Sequence, residues 1–163
     1  MNIIAAVDQN WGIGYKNRLL TRIPNDLKNF RKMTLGKVVV MGRKTLESFP
    51  GGQPLELRTN IVLTTDRQYK AKGCILLHSM EELQEELKKH NPDNLYIIGG
   101  GSIYEQMLPQ CNTAFITRIH HKFQADTYFP NLDEMEEWKM VEESEEYTCH
   151  DLEYFFTKYE RMN

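Results

Sequence analysis

Short apolar runs recur along this chain, and they restrict its fold more than any other feature of the sequence. Six of them are rich in the β-branched residues that favour strands, at residues 3–7 (IIAAV), 37–42 (KVVVMG), 60–65 (NIVLTT), 74–78 (CILLH), 94–100 (NLYIIGG) and 114–120 (AFITRIH). Where the apolar residues are uninterrupted, the run predicts a strand that is buried on both faces of a sheet.

Helical patterns separate several of these runs, at residues 25–34, 44–49, 80–90 and 102–109. Strands that alternate with helices predict a mainly parallel sheet covered on both sides. Near the C-terminus, aromatic and β-forming residues flank a polar break, which predicts two antiparallel strands. We therefore expect an α/β fold with a single domain over residues 1–163, in which about four helices flank a mostly parallel central sheet of about eight strands with an antiparallel C-terminal edge.

Composition and charge exclude several classes of protein. No run of about 18 apolar residues is present and the N-terminus has no basic leader, so we expect neither a membrane span nor a signal peptide. Three widely spaced cysteines predict a reducing cytoplasm, with no disulfide framework and no metal site. Residues 1–72 carry a charge of +8 and residues 73–163 a charge of −11, for a net −3. This asymmetry indicates a small anionic ligand rather than nucleic acid, although charge scattered over many faces explains it equally well.

A single acidic residue, Asp26, lies among apolar and basic neighbours in the first predicted helix. Pro24 suits the first turn of that helix, so Asp26, Phe30 and Met33 fall on one face. Two interpretations remain open at this point. The carboxylate either stabilises the helix N-terminus by a few tenths of a kcal/mol, or it lines a pocket in which burial and a partner tune its chemistry.

Two predicted strands end in glycine and lead directly into a helix. Gly42 precedes Arg43, Lys44 and Thr45, and the glycines at 99–101 precede Ser102. Free N–H groups at a helix start attract phosphate, and cations and hydroxyls reinforce that attraction. Neither segment is a GxGxxG fingerprint or a P-loop. Two such segments nevertheless suit a dinucleotide, and the Arg43–Lys44 pair favours the additional phosphate of NADP.

A third predicted strand ends in Thr64, Thr65 and Asp66. The two hydroxyls are suited to donate to phosphate, whereas the Asp66 carboxylate repels phosphate unless it is turned away. No arrangement of a nucleophile with a base stands out in the sequence.

Together these segments resemble the dihydrofolate reductase family, in its bacterial form, over essentially the whole chain. The resemblance is carried by residues 3–19 (IIAAVDQNWGIGYKNRL), 23–34 (IPNDLKNFRKMT), 38–49 (VVVMGRKTLESF), 60–65, 96–109 (YIIGGGSIYEQMLP), 116–119 (ITRI) and 125–130 (ADTYFP). It implies NADPH-dependent reduction of 7,8-dihydrofolate to tetrahydrofolate, with hydride transfer to C6 and protonation at N5. In the family, the acid matched by Asp26 pairs with the 2-amino group and adjacent ring nitrogen of the pterin.

The resemblance also implies which residues form the site. Those implied in catalysis are Asp26, Tyr104, Thr117, Leu19 and Thr21. Those implied in substrate binding are Ile4, Ala5, Ala6, Asp26, Leu27, Phe30, Phe49, Leu55, Arg58, Ile98 and Thr117, with Arg58 gripping the glutamate carboxylate. Those implied in cofactor binding are Ala6, Ile13, Gly14, Asn17, Gly42, Arg43, Lys44, Thr45, Leu63, Thr64, Thr65, Ile98, Gly99, Gly100, Gly101, Ser102, Ile103, Tyr104 and Thr127. The Gly99–Gly100 peptide matches one that is cis in the family, and residues 12–22 match a mobile loop.

The sequence departs from the family pattern at three places. Leu20 and Thr21 replace the usual Pro-Trp, and that tryptophan helps to order a water near the acid. The common PLPGR is PLELR at residues 54–58, and Ser102 stands where some members have arginine. These departures bear on rate and affinity more than on the reaction.

Two alternatives stay open: a pyrimidine reductase of riboflavin synthesis with a related fold, and a folate- or nucleotide-binding module without turnover. The expected ligands are dihydrofolate and NADPH, and diaminopyrimidine-type antifolates are candidates. A monomer is the default expectation, with no nucleic acid, membrane or metal.

Overall fold

All six apolar runs form strands in the computed structural model, which describes residues 1–162. The strands are β1 Asn2–Val7, β2 Gly12–Tyr15, β3 Arg18–Leu19, β4 Val38–Gly42, β5 Thr59–Leu63, β6 Cys74–Leu77, β7 Leu95–Gly99, β8 Thr113–Ile119, β9 Thr127–Tyr128, β10 Trp138–Glu143, β11 Tyr147–Cys149 and β12 Leu152–Arg161. The helices are α1 Pro24–Thr34, α2 Arg43–Ser48, α3 Met80–Leu87 and α4 Gly101–Met107. Each predicted helix is therefore present, although α3 ends three residues earlier than expected.

The main sheet has the strand order β10-β12-β8-β1-β7-β4-β5-β6, and the short strand β11 pairs with β12. The pairs from β8 through β6 are parallel, whereas β12 pairs antiparallel with β8, β10 and β11. The predicted parallel sheet and its antiparallel C-terminal edge are thus confirmed.

Both faces of the sheet are buried, as the uninterrupted apolar runs predict. On β4, Val38 and Val40 belong to the core that contains residues of α3 and α4, whereas Val39 and Met41 belong to the core beside α1 and α2. Successive side chains of a strand point to opposite faces, so a run with no polar position serves two cores at once.

A second, three-stranded sheet was not predicted. Strand β2 pairs antiparallel with both β3 and β9, so part of the segment expected to be a loop is a hairpin. Lys16 and Asn17 form its two-residue turn, with φ angles of +50° and +63°. This is the left-handed geometry of tight hairpin turns, which asparagine tolerates better than most residues.

Every parallel strand places its carboxyl end at the same edge of the main sheet. The first turns of α2 and α4 follow β4 and β7 at that edge. Ligands of open α/β sheets bind outside the carboxyl ends of the strands. Among residues 1–162, no helix has the length and apolar character needed to cross a membrane.

Candidate active site

The carboxylate of Asp26 lies at this edge of the sheet, beside the end of β8. The Thr117 hydroxyl donates a hydrogen bond to Asp26 Oδ1 at 2.6 Å, a length typical of a charge-assisted bond. Thr117 is buried, and it lies next to Ala6 in the register of β8 with β1. Burial raises the pKa of Asp26, and the Thr117 hydrogen bond opposes that rise to a smaller extent. Asp26 is therefore more than a helix-dipole residue, because its charge is partly withdrawn from water.

Tyr104 joins two strands of the site from the first turns of α4. Its hydroxyl lies 2.6 Å from the Ile4 carbonyl oxygen and 2.9 Å from the Ile98 carbonyl oxygen, and it has one hydrogen to donate between them. Burial, and next the negative charge of Asp26, raises the pKa of Tyr104. The phenol is therefore protonated at neutral pH and acts as a donor.

Gly99 makes room for the Tyr104 ring. A Cβ at Gly99 would lie 3.1 Å from the ring, and its φ of +120° also disfavours any other residue. The Gly99–Gly100 peptide is cis, as the resemblance implied.

An apolar wall extends from Asp26 along one side of the edge. Ile4 and Ile98 are buried in the core beside α1 and α2, and Phe30, Phe49 and Leu55 pack against that core while keeping part of their surface exposed. Leu27 is 38% exposed and lies outside the packed cluster. A half-exposed wall of this kind suits a flat apolar ligand better than it suits water.

Arg58 lies at the outer end of the wall, near the end of α1. Its Nη1 donates to Thr34 Oγ1 at 3.1 Å and its Nε donates to the Glu56 carbonyl at 2.9 Å. Partial burial, and next the positive charge of Arg31, lowers the pKa of Arg58. Two neighbouring guanidinium groups create a positive region that suits a carboxylate.

The glycine segments after β4 and β7 face one another. A Cβ at Gly42 would lie 3.3 Å from Ile103 Cγ1, and a Cβ at Gly100 would lie 3.6 Å from Thr45 Oγ1. Neither α2 nor α4 has a side-chain cap at its start, so backbone N–H groups of both first turns are available. A Cβ at Gly101 would lie only 2.5 Å from Thr127 Cγ2, so any side chain here would force Thr127 or the start of α4 to move.

Other predicted cofactor residues lie along the same edge. Thr64 is buried, and its hydroxyl accepts from the Asp66 N–H at 3.2 Å, while Leu63 is half-buried. Lys44 and Thr65 are exposed. Ser102 is also exposed, and its hydroxyl accepts from Gln106 Nε2 at 2.9 Å.

The hairpin of β2 and β3 carries the remaining predicted residues. Ile13 is buried and Gly14 half-buried, whereas Asn17 is exposed and Leu19 is 55% exposed. Thr21 makes no hydrogen bond within residues 1–162, so its hydroxyl does not reach Asp26. Of the residues implied in catalysis, only Thr117 is hydrogen-bonded to the Asp26 carboxylate within residues 1–162.

Two residues that position parts of the site, Asp126 and Thr34, were not predicted from the sequence. The Asp126 carboxylate accepts from the Lys16 N–H at 2.9 Å and thereby holds the hairpin turn. Thr34 holds Arg58 while its own hydroxyl also donates to the Phe30 carbonyl at 2.8 Å. Each lies in a segment that carries the family resemblance, but no spacing rule connects it to its partner, which is far away in sequence.

Comparison with known proteins agrees with this geometry. The chain matches the family described as Dihydrofolate reductase over residues 1–161. It is 36% identical to the dihydrofolate reductase of Bacillus subtilis (strain 168) over 165 residues, covering 100% of this chain and 95% of the relative. It is 37% identical to that of Staphylococcus aureus over 141 residues, covering 86% and 84% of the two chains.

A solved structure extends the comparison to three dimensions. The dihydrofolate reductase from Enterococcus faecalis, complexed with NADP(H) and RAB-propyl, superposes with a TM-score of 0.87 at 32% identity, covering 99% of this chain and 96% of that one. A family match over nearly the whole length, together with a shared fold, leads to one conclusion: the chain belongs to the dihydrofolate reductase family.

Proposed function

We propose that this protein reduces 7,8-dihydrofolate to 5,6,7,8-tetrahydrofolate with NADPH, in support of one-carbon metabolism. The observation that carries the proposal is the Asp26–Thr117 pair, a single partly buried carboxylate next to a wall of apolar side chains. Such a carboxylate is able to pair with the 2-amino group and ring nitrogen of a pterin while the wall packs against the ring.

Asp26 sets the protonation of the bound substrate. Burial raises its pKa, so a proton remains available near the pterin at a higher pH than an exposed aspartate would permit. Thr117 holds the carboxylate in place and limits that rise. The protein thus supplies the electric field at the pterin and orients the two rings, while the cofactor supplies the hydride.

The remaining substrate contacts align the two ends of dihydrofolate. Ile4, Ala5 and Ala6 lie on β1, beside which the pterin would meet the nicotinamide. Phe30, Phe49 and Leu55 pack against the middle of the substrate, with Leu27 at the exposed side. Arg58 pairs with a glutamate carboxylate, and it is preordered because Thr34 already holds one of its N–H groups.

The residues present fit NADPH, which supplies the hydride when bound. Gly99 and Gly101 let the backbone pass close to Tyr104 and Thr127, where a Cβ would collide. A segment of three glycines also has no side chains to keep a ligand away from its peptide groups. The uncapped first turns of α2 and α4 offer N–H groups to phosphate, with Arg43, Lys44, Thr45, Thr64, Thr65 and Ser102 around them. Ile13, Gly14, Asn17, Leu19 and Thr127 belong to the small sheet and its connections on the nicotinamide side. We assign no metal, and residues 1–162 contain no group of three side chains arranged to hold one.

The proposal includes a cytoplasmic monomer and extends to diaminopyrimidine-type antifolates as ligands. The three free cysteines suit a reducing compartment. A diaminopyrimidine would present two amino groups to the Asp26 carboxylate and to the Ile4 and Ile98 carbonyl oxygens that converge on Tyr104.

The test is the loss of nicotinamide absorbance when dihydrofolate is added to the protein and NADPH. We expect turnover that depends on both ligands, and an Asp26→Asn variant that still binds NADPH but reduces dihydrofolate about 10²–10⁴ times more slowly. A protein that binds both ligands without turnover would be a binding module. Oxidation of NADPH by a ribityl-phosphate pyrimidine but not by dihydrofolate would favour the riboflavin-type reductase.

A further inference from the structure

The guanidinium of Arg43 lies near two carboxylates, those of Asp66 and Glu47. Its Nη1 lies 3.9 Å from Asp66 Oδ2 and its Nε lies 3.9 Å from Glu47 Oε1. The guanidinium also lies over the Tyr69 ring, 5.7 Å from the centroid. Within residues 1–162 the guanidinium donates no hydrogen bond. At 3.9 Å the two carboxylates attract its charge, but they are too far away to accept hydrogen bonds from its N–H groups.

Asp66 is held in this position by its own turn. Its Oδ1 accepts from the Gln68 N–H at 2.9 Å, and its N–H donates to Thr64 Oγ1 at 3.2 Å. Its carbonyl accepts from the Tyr69 N–H at 3.2 Å. The carboxylate is therefore not turned away from Arg43, and its free oxygen faces the cation.

We propose that Asp66 is a specificity-determining residue that lowers the preference of this enzyme for NADPH over NADH. The inference rests on the proposed function, and within that group of phosphate-binding residues it assigns the 2′-phosphate to Arg43, Thr64 and Thr65. A phosphate in contact with both groups lies next to Asp66, so it must displace this carboxylate from Arg43 and then remain beside a like charge. NADH has no 2′-phosphate and meets neither penalty.

Glu47 provides a contrast at the same distance from the same guanidinium. It lies four residues after Arg43, one helical turn farther along α2. Its pairing with Arg43 follows the helix axis, so a phosphate at the start of the helix does not need to approach it. Glu47→Gln removes the same charge as Asp66→Asn and is the matched control.

The experiment measures equilibrium dissociation constants by calorimetry for NADPH, NADH and 2′,5′-ADP, with the wild type and both variants. An exposed ion pair contributes little, but the phosphate carries nearly two charges, so we expect Asp66→Asn to bind NADPH and 2′,5′-ADP about three- to tenfold more tightly. NADH affinity should stay within about twofold, since only the 2′-phosphate approaches Asp66. The gain should shrink as salt is added, because both charges are exposed.

Three results would overturn the inference: unchanged or weaker NADPH binding by Asp66→Asn, an equal gain for NADH, or an equal gain from Glu47→Gln. Weaker binding would mean that Asp66 preorders Arg43 for the phosphate instead of competing with it. A wild-type protein that binds neither dinucleotide would overturn the proposed function, and this inference with it. Failure of the variants alone leaves the proposed function in place.

Discussion

Replacing Thr117 with valine should raise the pKa of Asp26 and move the pH dependence of hydride transfer to higher pH. The substitution keeps the shape of a buried side chain and removes one donor. In the wild type that donor lies 2.6 Å from Asp26 Oδ1 and lowers the pKa of the carboxyl against the larger effect of burial. In Thr117→Val this hydrogen bond is lost, so burial raises the pKa of Asp26 further than in the wild type.

The size of the effect follows from the bond. A hydrogen bond to a charged group contributes about 1.5–3 kcal/mol, and the short distance places this one toward the upper end. Asp26 is only partly buried, so water can replace some of the lost interaction. We therefore take about 3 kcal/mol as the upper limit of the lost interaction and expect deprotonation of Asp26 to become less favourable by a smaller amount.

The measurement is a titration of the Asp26 carboxyl carbon by NMR in the ligand-free protein, together with single-turnover hydride transfer across pH. Thr157→Val is the control. Thr157 is equally buried, and its hydroxyl donates at 2.6 Å to the Ile116 carbonyl on the adjacent strand instead of to Asp26. Thr157→Val therefore shows what the loss of a buried hydroxyl hydrogen bond does to this sheet when Asp26 is not the acceptor.

An Asp26 titration that is the same in Thr117→Val as in wild type would refute the reasoning. So would an equal displacement in Thr157→Val, because the effect would then be a general loosening of the sheet. The apparent pKa of the rate belongs to the enzyme–substrate system, so the titration of the free carboxyl decides the question.

Further predictions concern Asp26, the glutamate end of dihydrofolate and the binding of NADPH. The Asp26 carboxyl binds its proton more tightly in the folded protein than in the unfolded chain. The free energy of unfolding therefore falls as pH rises from the ordinary aspartate pKa of 3.8 to the raised pKa of the folded state. Asp26→Asn should therefore melt at a higher temperature than wild type at neutral pH, and calorimetry should show the difference disappearing below the ordinary aspartate pKa. Its deficit in hydride transfer should shrink at low pH, where solvent protonates more of the substrate. Arg58→Lys keeps the charge but loses the planar fork, so competition binding should show weaker dihydrofolate binding with little change for a pterin that lacks glutamate. Arg43→Ala should narrow the ratio of kcat/KM for NADPH over NADH while sparing the dissociation constant of dihydrofolate. Gly101→Ala places a methyl group 2.5 Å from Thr127 Cγ2 and should weaken NADPH binding measured by fluorescence, or destabilise α4 in thermal unfolding.

The sequence predicted the main sheet well because local rules govern it. An apolar run such as residues 38–41 can be recognised as a doubly buried strand without knowing its neighbours. Periodicity likewise placed Asp26 and Phe30 on one face of α1, and the glycines at 99–101 marked a close approach. The hairpin of β2 and β3 was missed because Lys16 and Asn17 lack the glycine that usually signals its turn.

The chain by itself thus determined the strands and helices, the position of the acid on its helix, and the two glycine segments, since these depend on residues a few positions apart. The resemblance implied that the Thr117 hydroxyl supports the acid, but only the tertiary structure brought Thr117, 91 positions from Asp26, within hydrogen-bonding distance of it. The tertiary structure also decided that Thr34 holds Arg58 and that Asp66 faces Arg43. Such contacts depend on strand order and register, which arise from packing two cores against one sheet. Two charges that look independent in the sequence, one attracting phosphate and one repelling it, became neighbours because β4 and β5 are adjacent and end at the same edge.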